Sequence, residues 1–286
     1  MPSVVIPAHN EANGIERCLR AVLADGVEDL VVVVVANACR DDTAARARAV
    51  AGPVRVLDIR EGGKTNAMNE GERYLREQGI DRYPRLFLDG DIELAPGTLR
   101  ALLSAAQAPG ARVVAAEPAF DAEGCSWAVR RFYEAERFNP YHASGAPNGS
   151  GTYCVNREGR LRWGAFPDVL ADDGFVERQF ARAERSTVHG AVARVRVPRT
   201  WSALRRVAAR VRLGTAELDR IAPLRSDQLA AGGTFRAVSG ALLPRPHLWP
   251  ALAVWTTLKL LERRESRHVA RKQGADRWQQ DTTSRG

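Results

Sequence analysis

Leu30-Val31-Val32-Val33-Val34-Val35 is an unbroken apolar run, almost entirely β-branched. A strand buried on one face would alternate apolar and polar residues. A continuous run is expected of a parallel strand covered by helices on both faces. The flanks agree. Upstream, Val4–Pro7 is a short apolar strand, and Ile15, Cys18, Leu19, Val22 and Leu23 recur at helical spacing. Downstream, Asp42–Val50 reads as a helix, Val54–Asp58 as a strand, and Asn66–Gln78 as a helix opening after Gly62-Gly63. A strand at Leu86–Leu88, a helix at Thr98–Gln107 and a strand at Arg112–Ala116 follow. Strands alternating with crossover helices predict an open α/β sheet, Rossmann-like and mostly parallel, flanked by helices, of the nucleotide-binding kind.

Beyond residue 120 the pattern loosens. Trp127–Phe138 reads as a helix, Asn139–Gly151 as a loop, Gly174–Ala183 as a helix and Val192–Val197 as a strand. Thr200 is a candidate N-cap for a helix carrying Trp201, Leu204, Val207, Ala208 and Val211 on one side, with Gly214 as its stop. Residues 240–262 read as a proline-punctuated pair of apolar helices, and 263–286 as a polar, frayed end. The expected division is a first half at 1–120, a second half of the same domain at 121–215, and a helical appendage at 216–286.

Composition narrows the class. The 286 residues are 45% hydrophobic and 27% charged, which suits a globular chain with a sizeable core. Cys18, Cys39, Cys125 and Cys154 form no C-x-x-C pair, so neither a zinc knuckle nor a disulfide framework is expected, and a reducing cytosol fits. The opening MPSVVIPAHNE lacks the charged and long apolar regions of a secretory signal. Leu242–Leu261 is too interrupted by Pro244, Arg245, Pro246, His247, Pro250 and Lys259 to be expected to cross a bilayer. The net charge is +8, and from Arg185 to Ala216 there are eight arginines and no Asp or Glu. Such a window suits a phosphate-bearing partner (nucleotide, nucleic acid or anionic lipid) or is a solvated basic face.

Four segments carry candidate chemistry, each at the end of a strand or the start of a helix. Asp89-Gly90-Asp91 places two carboxylates at the C-terminal edge of a strand, where they can hold a divalent cation or simply form a turn. Pro7-Ala8-His9-Asn10-Glu11 follows the first strand, and Ala36-Asn37-Ala38-Cys39-Arg40-Asp41-Asp42-Thr43 the second. Gly62-Gly63-Lys64-Thr65-Asn66-Ala67-Met68-Asn69 opens a helix with glycines and a cation, which suits an anion, although it lacks Walker A spacing.

Taken in chain order, the four segments resemble the family-2 glycosyltransferases of the GT-A fold. That family's pattern is P-x-x-N-E, then D-G-S-x-D-x-T, then G-K-x-x-A-x-N, then D-x-D. The likeness covers roughly residues 3–215. It implies a nucleoside-diphosphate sugar donor, a Mn²⁺ or Mg²⁺ cofactor and transfer with inversion at the anomeric carbon. By resemblance, Asp91 is the metal-binding Asp, with Asp89 its partner towards ribose and sugar. Pro7, Ala8 and Glu11 would surround the nucleoside, and Lys64 would sit near the base or diphosphate. Asn37 stands where the family usually has a base-contacting Asp. An amide donates as well as accepts, so UDP is the first expectation while thymine and guanine stay open.

Further along, Asp172-Asp173 resembles the family's E-D motif, with Asp173 as the general base and Asp172 beside it. The alternative is an N-cap on the next helix. Gly149 and Ser150 occupy the place of a turn lining the acceptor pocket. Trp163 stacks on a sugar or belongs to the core, and His189 is a further metal ligand or structural. Thr200–Arg206 lacks the Q-x-x-R-W of polymer-extruding members. Arg199, Arg205, Arg206 and Arg210 could contact a diphosphate. Trp249 and Trp255 beside basic residues suit a membrane interface or a packed helix.

The expected protein is therefore a metal-dependent inverting glycosyltransferase with a nucleotide-sugar-binding half, an acceptor half and a C-terminal helical appendage. Its acceptor is expected to be a hydroxyl compound, lipid-linked or a cell-envelope precursor, met in the cytoplasm or at the inner face of an anionic membrane. No nucleic-acid partner is expected. Two rival readings fit the sequence less well. A sugar-phosphate nucleotidyltransferase would begin with a glycine-rich loop, and Pro7–Glu11 has no glycine. A basic nucleic-acid or membrane module leaves the ordered acidic motifs unexplained.

Overall fold

The computed structural model describes residues 2–143, 145, 147–222 and 234–272, with backbone alone for 143 and 263–272. Strands β1 (Ser3–Ala8), β2 (Val31–Asn37), β3 (Val54–Ile59) and β4 (Arg85–Leu88) stand in the order β3-β2-β1-β4, all parallel. Val4 is the register point, pairing with Val32 on one side and Leu86 on the other. Val32–Val35 are 0% exposed, as the unbroken valine run requires of a strand covered on both faces. On one face, α1 (Ile15–Ala24) inserts Ile15, Cys18, Leu19 and Val22 into a core shared with Leu99 and Leu102 of α4 (Thr98–Ala106). Helix α2 (Thr43–Ala49) follows β2, and α3 (Lys64–Glu77) packs on β1 and β2.

Beyond β4 the sheet changes character. A strand missed in the sequence, β7 (Thr152–Val155), pairs antiparallel with β4, Phe87 opposite Tyr153, and with β6 (Val113–Asp121). Strands β8 (Arg185–Arg196) and β5 (Glu93–Leu94), also antiparallel, complete eight strands in the order β3-β2-β1-β4-β7-β6-β8-β5. The sheet is thus mixed, with β3, β2, β1 and β4 parallel and β7 antiparallel to its neighbours β4 and β6. Strand β5 and strand β7 are too short to show a period in sequence.

The chain forms two compact units that interleave along the sequence: Met1–Ala119, Ser144–Asp168 and Gln179–Val195, and Phe120–Ala143, Val169–Arg178 and Arg196–Gly286. The first holds the sheet and α1 to α4, with α6 (Arg157–Arg160). Inside it, Glu72 of α3 is buried between two guanidiniums, 2.5 Å from Arg85 and 2.8 Å from Arg160 Nε.

The second unit comprises α5 (Trp127–Glu136), α7 (Asp172–Glu177), α8 (Trp201–Ile221), α9 (Thr234–Leu242) and α10 (Trp249–Lys272). Its core joins Val129 and Phe132 of α5, Leu204 of α8, Val238 and Leu242 of α9, and Trp255 and Leu258 of α10. Trp255 Nε1 donates to Glu136 Oε2 at 2.6 Å. Thr200 caps α8 as expected, its Oγ1 accepting from the Ala203 N–H at 3.3 Å.

Gly214 does not stop α8, which continues to Ile221. It marks a close approach instead: a Cβ there would lie 2.9 Å from Ala171 Cβ and 3.2 Å from Ala171 N. The helix expected at Gly174–Ala183 is the shorter α7, and the frayed end expected from 263 is helical to Lys272, with 273–286 outside the described residues. Among the described residues no helix is long and apolar enough to cross a membrane.

Candidate active site

From β1 the chain crosses through α1 to β2, whereas β4 lies on the other side of β1. The strand order therefore reverses between β1 and β4, and open α/β sheets bind ligands beyond the carboxyl ends of the strands at such a point. Pro7 and Ala8 end β1, and Asp89-Gly90-Asp91 leaves β4 beside them. The two segments touch. A Cβ on Gly90 would lie 3.3 Å from both Ala8 Cβ and Glu11 Cγ, so glycine lets the turn pack on the first loop.

Asn37 closes β2 and is 1% exposed. Its Nδ2 donates to the Ala8 carbonyl at 2.8 Å and its Oδ1 accepts from the Gly63 N–H at 3.1 Å. One amide thus ties the exits of β1 and β2 to the start of α3. A carboxylate could make only the second bond. The main-chain carbonyl of Asn37 lies 2.6 Å from His9 Nδ1. A carbonyl only accepts, so Nδ1 carries the proton, leaving Nε2 to accept from Asn10 Nδ2 at 3.1 Å. Asn10, at φ 53°, is itself braced by the Arg40 N–H, which donates to its Oδ1 at 2.8 Å.

The loops after β1 and β2 are joined again by the Glu11 N–H, which donates to Thr43 Oγ1 at 2.7 Å, and by the Ala12 N–H, which donates to Asp41 Oδ2 at 3.1 Å. Burial works against the Asp41 carboxylate, but hydrogen bonds from Thr43 and Ala12 outweigh it and hold the group below its ordinary value. Sequence reading assigned no role to His9, Asp41 or Thr43. The signal was their place inside the two quoted loops.

Lys64, the first residue of α3, brings its Nζ to 2.7 Å from Asp89 Oδ1. Beneath the turn, the Cys18 thiol is pushed well up by burial and then by the carboxylates of Asp91, Glu11, Asp89 and Glu93. The lesser, electrostatic part of that shift comes from carboxylates of several elements, all of them hard oxygen donors. Such donors fit a Mg²⁺- or Mn²⁺-type cation held by one or two carboxylates and completed by substrate phosphate and water. Among the described residues no group of three or more His, Cys, Asp or Glu is arranged to hold a metal unaided.

Next to Asp89 runs the turn expected on the acceptor side. The Asp89 N–H donates to the Gly151 carbonyl at 2.9 Å. Gly149 is exposed at φ 76°, whereas Ser150 is 1% exposed and donates from Oγ to the Thr152 carbonyl at 3.2 Å.

Other expected residues lie elsewhere. Trp163 is 8% exposed and packs edge-on against Phe166 and Phe180, with the Arg160 guanidinium 4.7 Å above its ring. Its ring thus sits in an aromatic core. The His189 side chain is 97% exposed, 2.9 Å from Glu117 Oε1 on the neighbouring strand, and is not gathered with Asp89 and Asp91 into a ligand set.

Asp172 and Asp173 belong to the second unit, where they begin α7. Asp172 is 4% exposed, and Asp173 Oδ1 accepts from the Gly174 N–H at 2.7 Å. Their segment is clamped to α8. The Leu170 N–H donates to Glu217 Oε2 at 3.2 Å, and Arg178 reaches Asp219 at 2.7 Å and the Ala222 carbonyl at 2.6 Å.

The pattern of the family described as Glycosyl transferase family 2 matches residues 3–156. Comparison with the curated proteins gives no match. Among solved structures, the chain is similar to a mannosyltransferase (PcManGT) from Pyrobaculum calidifontis in complex with GDP-Man and Mn²⁺, at 23% identity and TM-score 0.61, covering 94% of this chain and 84% of that one. It is also similar to glucosyl-3-phosphoglycerate synthase from Mycobacterium tuberculosis in complex with Mn²⁺, UDP and glucosyl-3-phosphoglycerate, at 20% identity and TM-score 0.53, covering 79% of this chain and 81% of that one. The same enzyme with Mg²⁺ and UDP aligns at 20% identity and TM-score 0.51, covering 79% and 80%. At these identities the likeness establishes the shared GT-A fold.

Proposed function

The chain belongs to glycosyl transferase family 2, and on that premise we propose that it moves a sugar, with inversion, from a nucleoside-diphosphate donor to a hydroxyl acceptor. The observation that carries this is the contact of Lys64 with Asp89 at 2.7 Å, at the point where the strand order reverses. There a cation at a helix N-terminus meets a paired-carboxylate turn, beside a loop scaffold stitched by Asn37.

In this reading the loops of Pro7, Ala8, Glu11 and Asn37 hold the nucleoside. Lys64 and the N-terminus of α3 face the diphosphate. Asp91, with Asp89, would hold Mn²⁺ or Mg²⁺, which supplies charge neutralisation for the departing diphosphate. Similar solved structures contain GDP-Man with Mn²⁺ and UDP with Mn²⁺ or Mg²⁺, which supports this cofactor class and keeps both bases in the trial set. Lys64 can exchange its Asp89 partner for a phosphate oxygen as donor arrives, keeping its charge paired throughout.

The acceptor hydroxyl is a poor nucleophile until its proton has somewhere to go. Asp173 is assigned as the general base that takes it, which assists by roughly 10²- to 10⁴-fold in comparable systems. Asp172, largely buried, supports that segment. Gly149 and Ser150 border the acceptor side. A lipid-linked or envelope-precursor acceptor is favoured by the arginine-rich stretch that α8 carries.

The test is a thermal-shift panel of UDP, GDP and dTDP, each with and without Mn²⁺, on the protein and on Asp91→Ala. A nucleotide held at 100 times its Kd stabilises by about 2.7 kcal/mol. The expected result is a metal-dependent shift from one nucleotide that Asp91→Ala abolishes. No shift from any nucleotide would overturn the assignment.

A further inference from the structure

The outer surface of the C-terminal helices is built unlike a solvated face. Over residues 249–262, the part of α10 whose side chains are described, the exposed positions are Trp249, Pro250, Ala253, Thr257 and Leu260, recurring every three or four residues on one side. None is charged, whereas a helix face turned to water normally carries most of its charge there. Trp249 is 54% exposed and Leu260 62%. The corner leading into α10 continues the surface. Leu243 is 58% exposed, and Trp249 Nε1 donates to its main-chain carbonyl at 3.1 Å, which fixes the indole beside it. Pro244, Arg245, Pro246 and His247 are all exposed around the same corner.

The exposed charges of this region, Arg236 and Arg245, have one sign, while Lys259 is paired with Glu262 at 3.4 Å. From Thr234 to Leu261 the chain contains Arg236, Arg245 and Lys259 and no Asp or Glu. Arg245 is held in place by a hydrogen bond to the Ala241 carbonyl and by the Phe138 ring, 5.4 Å from its guanidinium carbon. In a symmetric pair of copies, an isologous contact here would bring cation to cation. An anionic bilayer meets both features at once, with a headgroup layer for arginine and indole and an acyl boundary for leucine.

We propose that the corner between α9 and α10, with the uncharged stripe of α10, is a docking surface for an anionic lipid bilayer. The stripe from Trp249 to Leu260 is roughly 17 Å long at 1.5 Å per residue. That is about half the hydrocarbon thickness, so α10 lies in the interface rather than across it. The inference stands apart from the transferase assignment and needs no nucleotide. It would bring the protein to the surface that carries a lipid-borne acceptor.

The experiment is flotation of the full chain with vesicles of phosphatidylcholine alone and of phosphatidylcholine with phosphatidylglycerol, at low and high salt. Binding is expected on the anionic vesicles only, weakening with salt. Arg245→Gln should lower partitioning about fivefold, the ratio equivalent to about 1 kcal/mol per basic side chain at an anionic surface. Leu243→Ser with Trp249→Ala, and separately Ala253→Glu, should each reduce it further while leaving the thermal midpoint unchanged, since these side chains are exposed. Absence of binding to anionic vesicles overturns the proposal. So does binding that all three variants leave intact, and so does concentration-dependent self-association that the same variants abolish. Nucleotide-induced thermal shifts, measured in parallel, report on the donor site alone, so failure of either inference is read separately.

Discussion

Lys64 Nζ lies 2.7 Å from Asp89 Oδ1, joining the first turn of α3 to the turn that leaves β4. Both side chains are partly exposed, at 24% and 35%, so the pair contributes at most about 1 kcal/mol to the fold. In the proposed function its value lies in what it holds ready: a charged donor that can pass from carboxylate to phosphate. Lys64→Gln should therefore leave the unliganded thermal midpoint nearly unchanged. It should weaken nucleoside-diphosphate binding by about 1.5–3 kcal/mol, the range for a charge-assisted hydrogen bond, or roughly ten- to a hundredfold in Kd. Titration calorimetry with Mn²⁺ present measures this directly, and an unchanged Kd would remove Lys64 from the donor site.

Glu72 presents the opposite case. It is 1% exposed and lies between Arg85, at 0%, and Arg160, at 6%. Its loss would strand buried positive charge, because Asp81 compensates Arg85 alone, at 2.8 Å. Glu72→Gln should cost about 3–5 kcal/mol, the range for breaking one side of a buried pair. Urea unfolding of the two proteins side by side gives the number, and a loss under about 1 kcal/mol would show the network to be solvated.

Two helical glycines should respond to alanine with opposite signs. Gly240 sits inside α9 with nothing within 4 Å of an added Cβ. Gly240→Ala should raise stability by up to about 1 kcal/mol through helix propensity. Gly214→Ala gains the same propensity but places its methyl 2.9 Å from Ala171 Cβ and 3.2 Å from Ala171 N. Neither is the free end of a flexible chain, so overpacking of about 1–3 kcal/mol wins. Because Ala171 directly precedes Asp172 and Asp173, the proposed general base and its neighbour, that proposal predicts a fall in kcat with nucleotide Kd unchanged as well. Equal signs for the two variants would contradict the packing described for α8.

These cases show what the sequence disclosed and what it hid. The alternation of strand and helix through residue 120 was legible because each element carries its own period, and Asp89-Gly90-Asp91 fell where the topology needed it. Gly214 misled because a helix stop and a close contact call for the same residue. Glu72, Arg85 and Arg160 belong to no motif, and only tertiary structure brings α3, β4 and α6 together. Asn37 was noticed as a replacement for a carboxylate, but its use of both amide ends to join three loops depends on backbone atoms that no motif records. Trp163 could be read as stacking surface or core, and only its neighbours decide for core.

Glu136 makes the stability of the second unit depend on pH. It is 8% exposed, yet its carboxyl lies below the ordinary value of 4.5. Burial alone would raise it, but His142, Lys259, Asn139 and Trp255 together outweigh that cost. In the unfolded chain the same carboxyl takes up its proton at higher pH than in the fold. Its stabilisation is thus fully present above about pH 4.5 and is lost as pH falls through the lower folded value. The urea midpoint should decline on acidification in that window. Glu136→Gln should lower stability at neutral pH, since Gln still accepts from Trp255 but loses the charge facing His142 and Lys259. It should also flatten the decline, because the variant has no proton to take up at this position. Urea titrations of both proteins from pH 7 to pH 3 compare the two slopes, and parallel curves would show that Glu136 does not set the acid limb.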